Sequence, residues 1–200
     1  MSALWLENFD SALAAAGESH KPIILEFIRP NCAGCLKMEH GVFNDAAVQQ
    51  QITEDFVPLR QNILAHRAVR SRYAAIWTPS LYFLHSDGKL LWFSEGALTK
   101  TDFFTVCTIG RARFLLHKGR YAEVIDLMDA RLAEAAADVR AAQLVFIRGM
   151  AYYLRFGDKD AFHAAMEEIV EKYPYSPEAR MWPWEQQYPL PPTADPIDGA

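Results

Sequence analysis

Trp5, Phe9, Leu13 and Ala16 recur every three or four positions, a rhythm that predicts a short amphipathic helix closed at Gly17. The rhythm then changes. Lys21-Pro22 leads into Ile23-Ile24-Leu25-Glu26-Phe27-Ile28, an apolar run of strand length. Apolarity at successive positions predicts a strand buried on both faces, as in a parallel or mixed sheet, with Glu26 the anomaly inside it. Pro30-Asn31-Cys32-Ala33-Gly34-Cys35 reads as a loop opening into a helix, whose stripe is Cys35, Met38 and Val42-Phe43. A further helix is expected near 45–52, a second buried strand at Phe56-Val57-Pro58-Leu59, and a loop with a short helix from Ile63 to Tyr73. Pro79 precedes the strand Leu81-Tyr82-Phe83-Leu84. Asp87-Gly88 then signals a hairpin turn before the return strand Leu90-Leu91-Trp92-Phe93.

From about Thr101 the spacing is helical only, with helices expected over 102–116, 121–132, 139–155 and 160–173. In the last, Phe162, Ala165, Met166, Ile169, Val170 and Tyr173 share one face. Laying Gly119 on Gly157 sets Val124 on Phe162, Leu127 on Ala165, Met128 on Met166 and Leu132 on Val170, the register of two helix–turn–helix units. The pattern therefore divides the chain into an α/β part, 1–98, a helical extension, 99–185, and a Pro-rich tail, 186–200. Trp182, Pro183 and Trp184 are read as packing against the hairpins or presenting a partner surface.

Composition narrows the function classes. Hydrophobic residues make up 51% and charged residues 22% of 200, which excludes a disordered or collagen-like chain. A net charge of −5 argues against nucleic acid and anionic membrane as partners. The apolar runs fall far short of the ~20 residues that span a bilayer. Three cysteines are too few for a secreted disulfide framework, and the opening residues have no basic, apolar leader pattern, so a cytoplasmic location is expected.

Cys32-Ala33-Gly34-Cys35 carries the strongest chemical signal. Beside a βαβ pattern this spacing reads as a redox dithiol. Thiolate is the attacking species, and a helix N-terminus favours negative charge, so Cys32 at the helix mouth is the expected nucleophile. Cys35, one turn inside, is placed to attack a mixed disulfide and is expected to be the more buried sulfur. Metal binding or inert packing are the alternatives for this pair. A zinc site needs four ligands, and the chain offers one pair, a distant Cys107 and six scattered histidines. Cys107, in an apolar helical stripe, reads as a buried small hydrophobe. His40 and His66 read as surface residues, and Asp126, Asp129, Glu167 and Glu168 as solvated helix faces.

From Lys21 to about Ala97, roughly half the chain, the sequence resembles the thioredoxin superfamily. The resemblance is carried by Lys21-Pro22-Ile23-Ile24-Leu25-Glu26-Phe27, Cys32–Cys35, Val42-Phe43 with Val48, Phe56-Val57-Pro58, Trp77-Thr78-Pro79-Ser80-Leu81-Tyr82-Phe83 and Asp87-Gly88-Lys89. It implies a central mixed sheet flanked by helices, with Cys32 as nucleophile and Cys35 as resolving cysteine. Pro79 falls where the family has a cis-proline facing the dithiol. Glu26 falls where it has a buried acid that handles the resolving cysteine's proton, and Arg60 is loosely placed near that acid. Thr78, Asn31, Ala33 and Gly34 are implied as substrate-contacting positions. Two departures stand out: Asn31 replaces an aromatic before the nucleophile, and Gly34 replaces a proline, which should loosen the turn. No histidine lies between the cysteines, and Arg29 is a nearby charge of undetermined direction. Gly149, Tyr152, Gly157, Ala161 and Tyr173-Pro174 resemble a degenerate tetratricopeptide repeat. The resemblance implies a thiol–disulfide oxidoreductase for protein substrates, with no cofactor, no metal and a helical extension that recruits a partner or substrate. The alternative is a non-enzymatic protein-binding module on the same scaffold.

Overall fold

The computed structural model describes residues 4–181. Strands β1 (Ile23–Ile28), β2 (Val57–Asn62), β3 (Ser80–Leu84) and β4 (Leu90–Glu95) form one mixed sheet in the order β2-β1-β3-β4. β1 and β2 are parallel, and β3 is antiparallel to both β1 and β4. Helices α1 (Phe9–Ser19), α2 (Ala33–Met38), α3 (Ala46–Asp55) and α4 (Arg67–Arg72) lie among these strands. Then come α5 (Lys100–His117), α6 (Tyr121–Ala135), α7 (Ala141–Phe156) and α8 (Lys159–Lys172). The fold is the expected α/β sheet followed by helices.

Alternation along β1 explains both faces of the sheet. Ile23, Leu25 and Phe27 join Ala12, Ala16, Tyr73 and Tyr82 in the layer under α1. Ile24 joins Met38, Val48, Phe83 and Phe103 in the opposite layer, under α3 and α5. Glu26 shares Ile24's face, which places a carboxyl in the layer that holds α2.

Four local expectations are corrected. Trp5 does not begin the first helix. Asn8, itself extended, caps α1 by accepting the Ser11 N–H with its side chain, so the helix begins only at Phe9. Leu6 pairs parallel with Leu59, its N–H donating to the Pro58 carbonyl at 3.0 Å. Trp5 is thereby buried edge-on to Phe43 instead of lying on a helix face. Gly17 does not close α1, which continues to Ser19 and ends at His20 in a left-handed conformation, φ 56°. After α2 the chain passes into a wide π turn, Glu39–Phe43, which buries both Val42 and Phe43. The third expected helix, 139–155, also starts later: α7 begins at Ala141, and Val139 lies exposed in the turn before it.

α5 serves two cores. Phe103, Val106 and Cys107 pack with the sheet, while Ile109, Ala112, Phe114 and Leu115 pack with α6 and α7. Gly110 lets the helix sit flush, since a Cβ there would lie 2.1 Å from the Phe83 ring. Polar ties reinforce the seat. Lys100 pairs with Asp45 at 2.8 Å, and Arg111 pairs with Asp55. Buried Arg131 donates to the Thr105 hydroxyl at 3.0 Å and to the Thr101 carbonyl at 3.2 Å. The two glycines of the expected repeat, Gly119 and Gly157, both take left-handed φ values, 71° and 67°, at the ends of α5 and α7. Trp182, Pro183, Trp184 and the 186–200 tail lie outside the described residues.

Candidate functional site

β1 ends at Ile28, and the chain turns through exposed Arg29, Pro30 and Asn31 into α2. Asn31 takes φ 56°, a left-handed value that asparagine tolerates better than most residues. Cys32 is the N-cap of α2. Its Sγ accepts the Cys35 N–H at 3.2 Å, and the Thr78 hydroxyl donates to the same sulfur at 3.6 Å. The Thr78 carbonyl oxygen also lies 3.6 Å from it. Cys32 and Cys35 are joined as a disulfide, Cα atoms 5.2 Å apart. Two donors on one sulfur favour negative charge there once the bond opens.

The Thr78–Pro79 peptide bond is cis, and buried Pro79 faces α2. Gly34 meets it directly: a Cβ at Gly34 would lie 2.8 Å from Pro79 Cδ and 3.6 Å from Ala97. The glycine between the cysteines therefore permits close packing against the proline, where the sequence suggested a loosened turn. Ala33 and Asn31 are exposed at the mouth, and Gly34, Cys35 and Thr78 are partly buried.

The expected burial order of the sulfur residues is reversed. Cys32 is 5% exposed and Cys35 is the more open of the two. The loop before Pro79 is the physical reason, because Thr78 presses both its hydroxyl and its carbonyl against the Cys32 sulfur.

Glu26 is fully buried, and its carboxyl is paired with Arg60, the residue that the resemblance set loosely near it. Arg60, its parallel partner on β2, donates through Nε to Glu26 Oε2 at 2.6 Å and through Nη2 to Glu39 Oε2 at 2.9 Å. The guanidinium also stacks over Trp5, 4.7 Å from the ring centroid. Glu26 Oε1 has no hydrogen-bond partner among the described residues. Loss of hydration outweighs the arginine, and Glu39 adds like charge, so the Glu26 carboxyl is pushed up to about 7.

His40 and His66 are exposed, with His66 Nδ1 beside the Asn62 carbonyl. Cys107 is fully buried in the α5 core, which pushes its thiol well up. Among the described residues no group of three His, Cys, Asp or Glu side chains is arranged to hold a metal ion. Beyond Thr78 lies a groove of about 540 Å³ lined by Arg29, Leu64, Arg70, Ile76 and Trp77 among others. Arg70, Leu64 and Ile76 were not singled out from sequence, and Trp77 was quoted only as part of the segment 77–83 that carries the resemblance. The usable signal is charge: from Phe56 to Ser86 there is no acidic residue.

The site is thus a disulfide-bonded Cys-x-x-Cys pair that caps a helix opposite a cis-proline on a mixed sheet. The chain belongs to the thioredoxin-like domain family, whose description matches residues 9–108, half of the chain. The match ends inside α5. No curated protein matches the chain. Among solved structures, a thioredoxin from Thermus thermophilus is 20% identical, with TM-score 0.48 over 53% of this chain and 85% of that one. A protein titled DsbH oxidoreductase is 17% identical, TM-score 0.48, over 54% and 83%. A disulphide isomerase from Xylella fastidiosa is 19% identical, TM-score 0.42, over 49% and 84%. No helix among the described residues is long and apolar enough to cross a membrane.

Proposed function

We propose that the protein is a thiol–disulfide oxidoreductase acting on protein disulfides through Cys32 and Cys35. The observation that carries this reading is the Cys32 sulfur at the α2 cap, receiving the Cys35 N–H and the Thr78 hydroxyl while bonded to Cys35. In the reduced protein the Cys32 thiolate attacks one sulfur of a client disulfide, forming a mixed disulfide and releasing a client thiolate. The Cys35 thiolate then attacks the Cys32 sulfur. The intramolecular disulfide forms and the second client thiolate leaves, so two electrons pass to the client. The reverse sequence oxidises a client dithiol.

Other residues take supporting roles in this reading. Pro79 and Thr78 offer backbone groups to the client chain, with Asn31, Ala33 and Gly34 forming the opposite lip. Glu26 acts as a positioning residue, its uncommitted Oε1 and raised affinity for a proton suiting it to relay the proton that Cys35 gives up. The chemistry needs no cofactor. The helical part, read as a degenerate tetratricopeptide-like extension from 99 onward, recruits a partner or client. One reactive pair with one buried free thiol suits a reducing compartment, the cytoplasm.

One observation favours a second reading, a binding module without turnover: Cys32 is almost covered. Insulin reduction driven by dithiothreitol separates the two. An oxidoreductase speeds insulin precipitation over dithiothreitol alone and loses the effect in Cys32→Ser. A rate equal to the reagent alone, with no reversible potential against glutathione, contradicts the enzymatic reading.

A further inference from the structure

The groove beside Thr78 has chemistry that thiol exchange does not use. Leu64, Ile76 and Trp77 line it as large apolar residues 59%, 84% and 60% exposed. Two arginines complete it: exposed Arg29 at the end of β1 and half-buried Arg70 on α4. Neither guanidinium makes an ion pair or hydrogen bond among the described residues, whereas Arg60, Arg111, Arg131, Arg140 and Arg148 all do. The chain carries net charge −5, yet Phe56 to Ser86 holds four arginines and no aspartate or glutamate. No carboxylate of this stretch competes for the groove.

We propose that Arg29 and Arg70 select client polypeptides with an acidic residue beside the reactive cysteine; this rests on the oxidoreductase reading. The acidic side chain meets the guanidinium forks, whose paired N–H groups match a carboxylate. An apolar residue of the same segment covers Leu64, Ile76 and Trp77. Thr78 lies at the sulfur end of the groove, so a segment seated there brings its neighbouring disulfide to Cys32. The apolar wall commits the site to a polypeptide, because a small anion would leave that wall in water.

Two synthetic peptides test this, each closing one disulfide and differing only in Glu or Lys on both sides of the first cysteine. With dithiothreitol as recycling reductant at low salt, kcat/KM for the Glu peptide should exceed that for the Lys peptide about tenfold. The ratio should shrink in 0.5 M salt as screening rises. Arg29→Glu/Arg70→Glu should invert it, and Arg29→Gln/Arg70→Gln should bring it near one. The readout is a ratio within each variant, so a partial folding defect does not imitate it. Equal rates for the two peptides, or a preference that survives charge reversal, overturns the proposal. Glutathione disulfide reduction that depends as strongly on the two arginines overturns the polypeptide assignment. Fluorescence anisotropy of both peptides on Cys32→Ser/Cys35→Ser separates selectivity from turnover. Arginine-dependent preference for the Glu peptide there, without reduction by the wild type, upholds selectivity and sinks the oxidoreductase reading. Equal binding sinks selectivity alone.

Discussion

At the scale of single residues, Glu26 has the sharpest consequence. Its carboxyl, pushed from 4.5 to about 7, binds a proton in the folded protein that the unfolded chain releases at lower pH. Below pH 4.5 both states hold the proton and the shift costs nothing. As pH rises from 4.5 through 7, stability is lost. Glu26→Gln removes this loss while leaving Arg60 its contacts with Glu39 and Trp5. Urea unfolding at pH 5 and pH 8 should show the variant gaining on the wild type by on the order of 2 kcal/mol across that interval. No change in the difference between the two pH values would remove Glu26 from proton handling. The anomaly was legible, since a carboxylate inside Ile23–Ile28 has nowhere polar to go. Its partner was less so, because Glu26 and Arg60 meet only through strand register. Gly34 is a second residue-scale case. Gly34→Ala must push Pro79 away from α2, and a loss of about 1–2 kcal/mol is expected from the overpacking. Unchanged stability would show that the α2–Pro79 approach is loose.

At the scale of elements, two glycines in helices make opposite predictions. Gly17 lies in α1 with open space where a Cβ would project, whereas a Cβ at Gly110 would enter the Phe83 ring. Gly17→Ala should therefore stabilise by about 0.5–1 kcal/mol through helix propensity. Gly110→Ala should destabilise by about 1–3 kcal/mol, because buried Phe83 and α5 must separate. Chemical denaturation of the pair decides, and a stabilising Gly110→Ala would contradict the seating of α5. Elements with one strong pattern were legible: β1 occupies the same six residues as its apolar run. The N-terminal arm was not. Trp5 and Phe9 are four apart, which imitates a helix, but the β2 edge offered Leu6 backbone partners that no local spacing reveals. The π turn was hidden for a related reason, since Met38, Val42 and Phe43 fit an ordinary helical stripe. The groove escaped notice because Arg29 and Arg70 are far apart in sequence and meet only after β1 and α4 are in place.

At the scale of the whole molecule, α5 is the joint. It closes the sheet with Phe103, Val106 and Cys107 and supplies Ile109, Ala112 and Phe114 to the helical core. A chain ending after residue 98 leaves the apolar face around Phe83 uncovered and should not fold cooperatively. A chain ending after 117 keeps that cover but exposes Ile109 and Leu115, and should fold with a lower melting temperature. Thermal unfolding of both truncations checks this. A cooperative transition in the 98-residue chain would show that the sheet needs no helix beyond it. The same joint holds the helical hairpins against the sheet that carries the dithiol, with Trp92 of β4 packing against both cores.

Thiol exchange at this site depends on which sulfur attacks. Cys32 has the helix cap and the Thr78 hydroxyl in its favour, and Cys35 has the greater exposure. The direct measurement is mass spectrometry of mixed disulfides formed by Cys35→Ser and by Cys32→Ser with a disulfide-bonded peptide. Buried Cys107 does not compete. Cys35→Ser should hold the peptide on Cys32, stalled for want of a resolving thiol, and Cys32→Ser should hold none. Capture by Cys32→Ser at Cys35, or by neither variant, would contradict the assignment of Cys32 as the attacking sulfur.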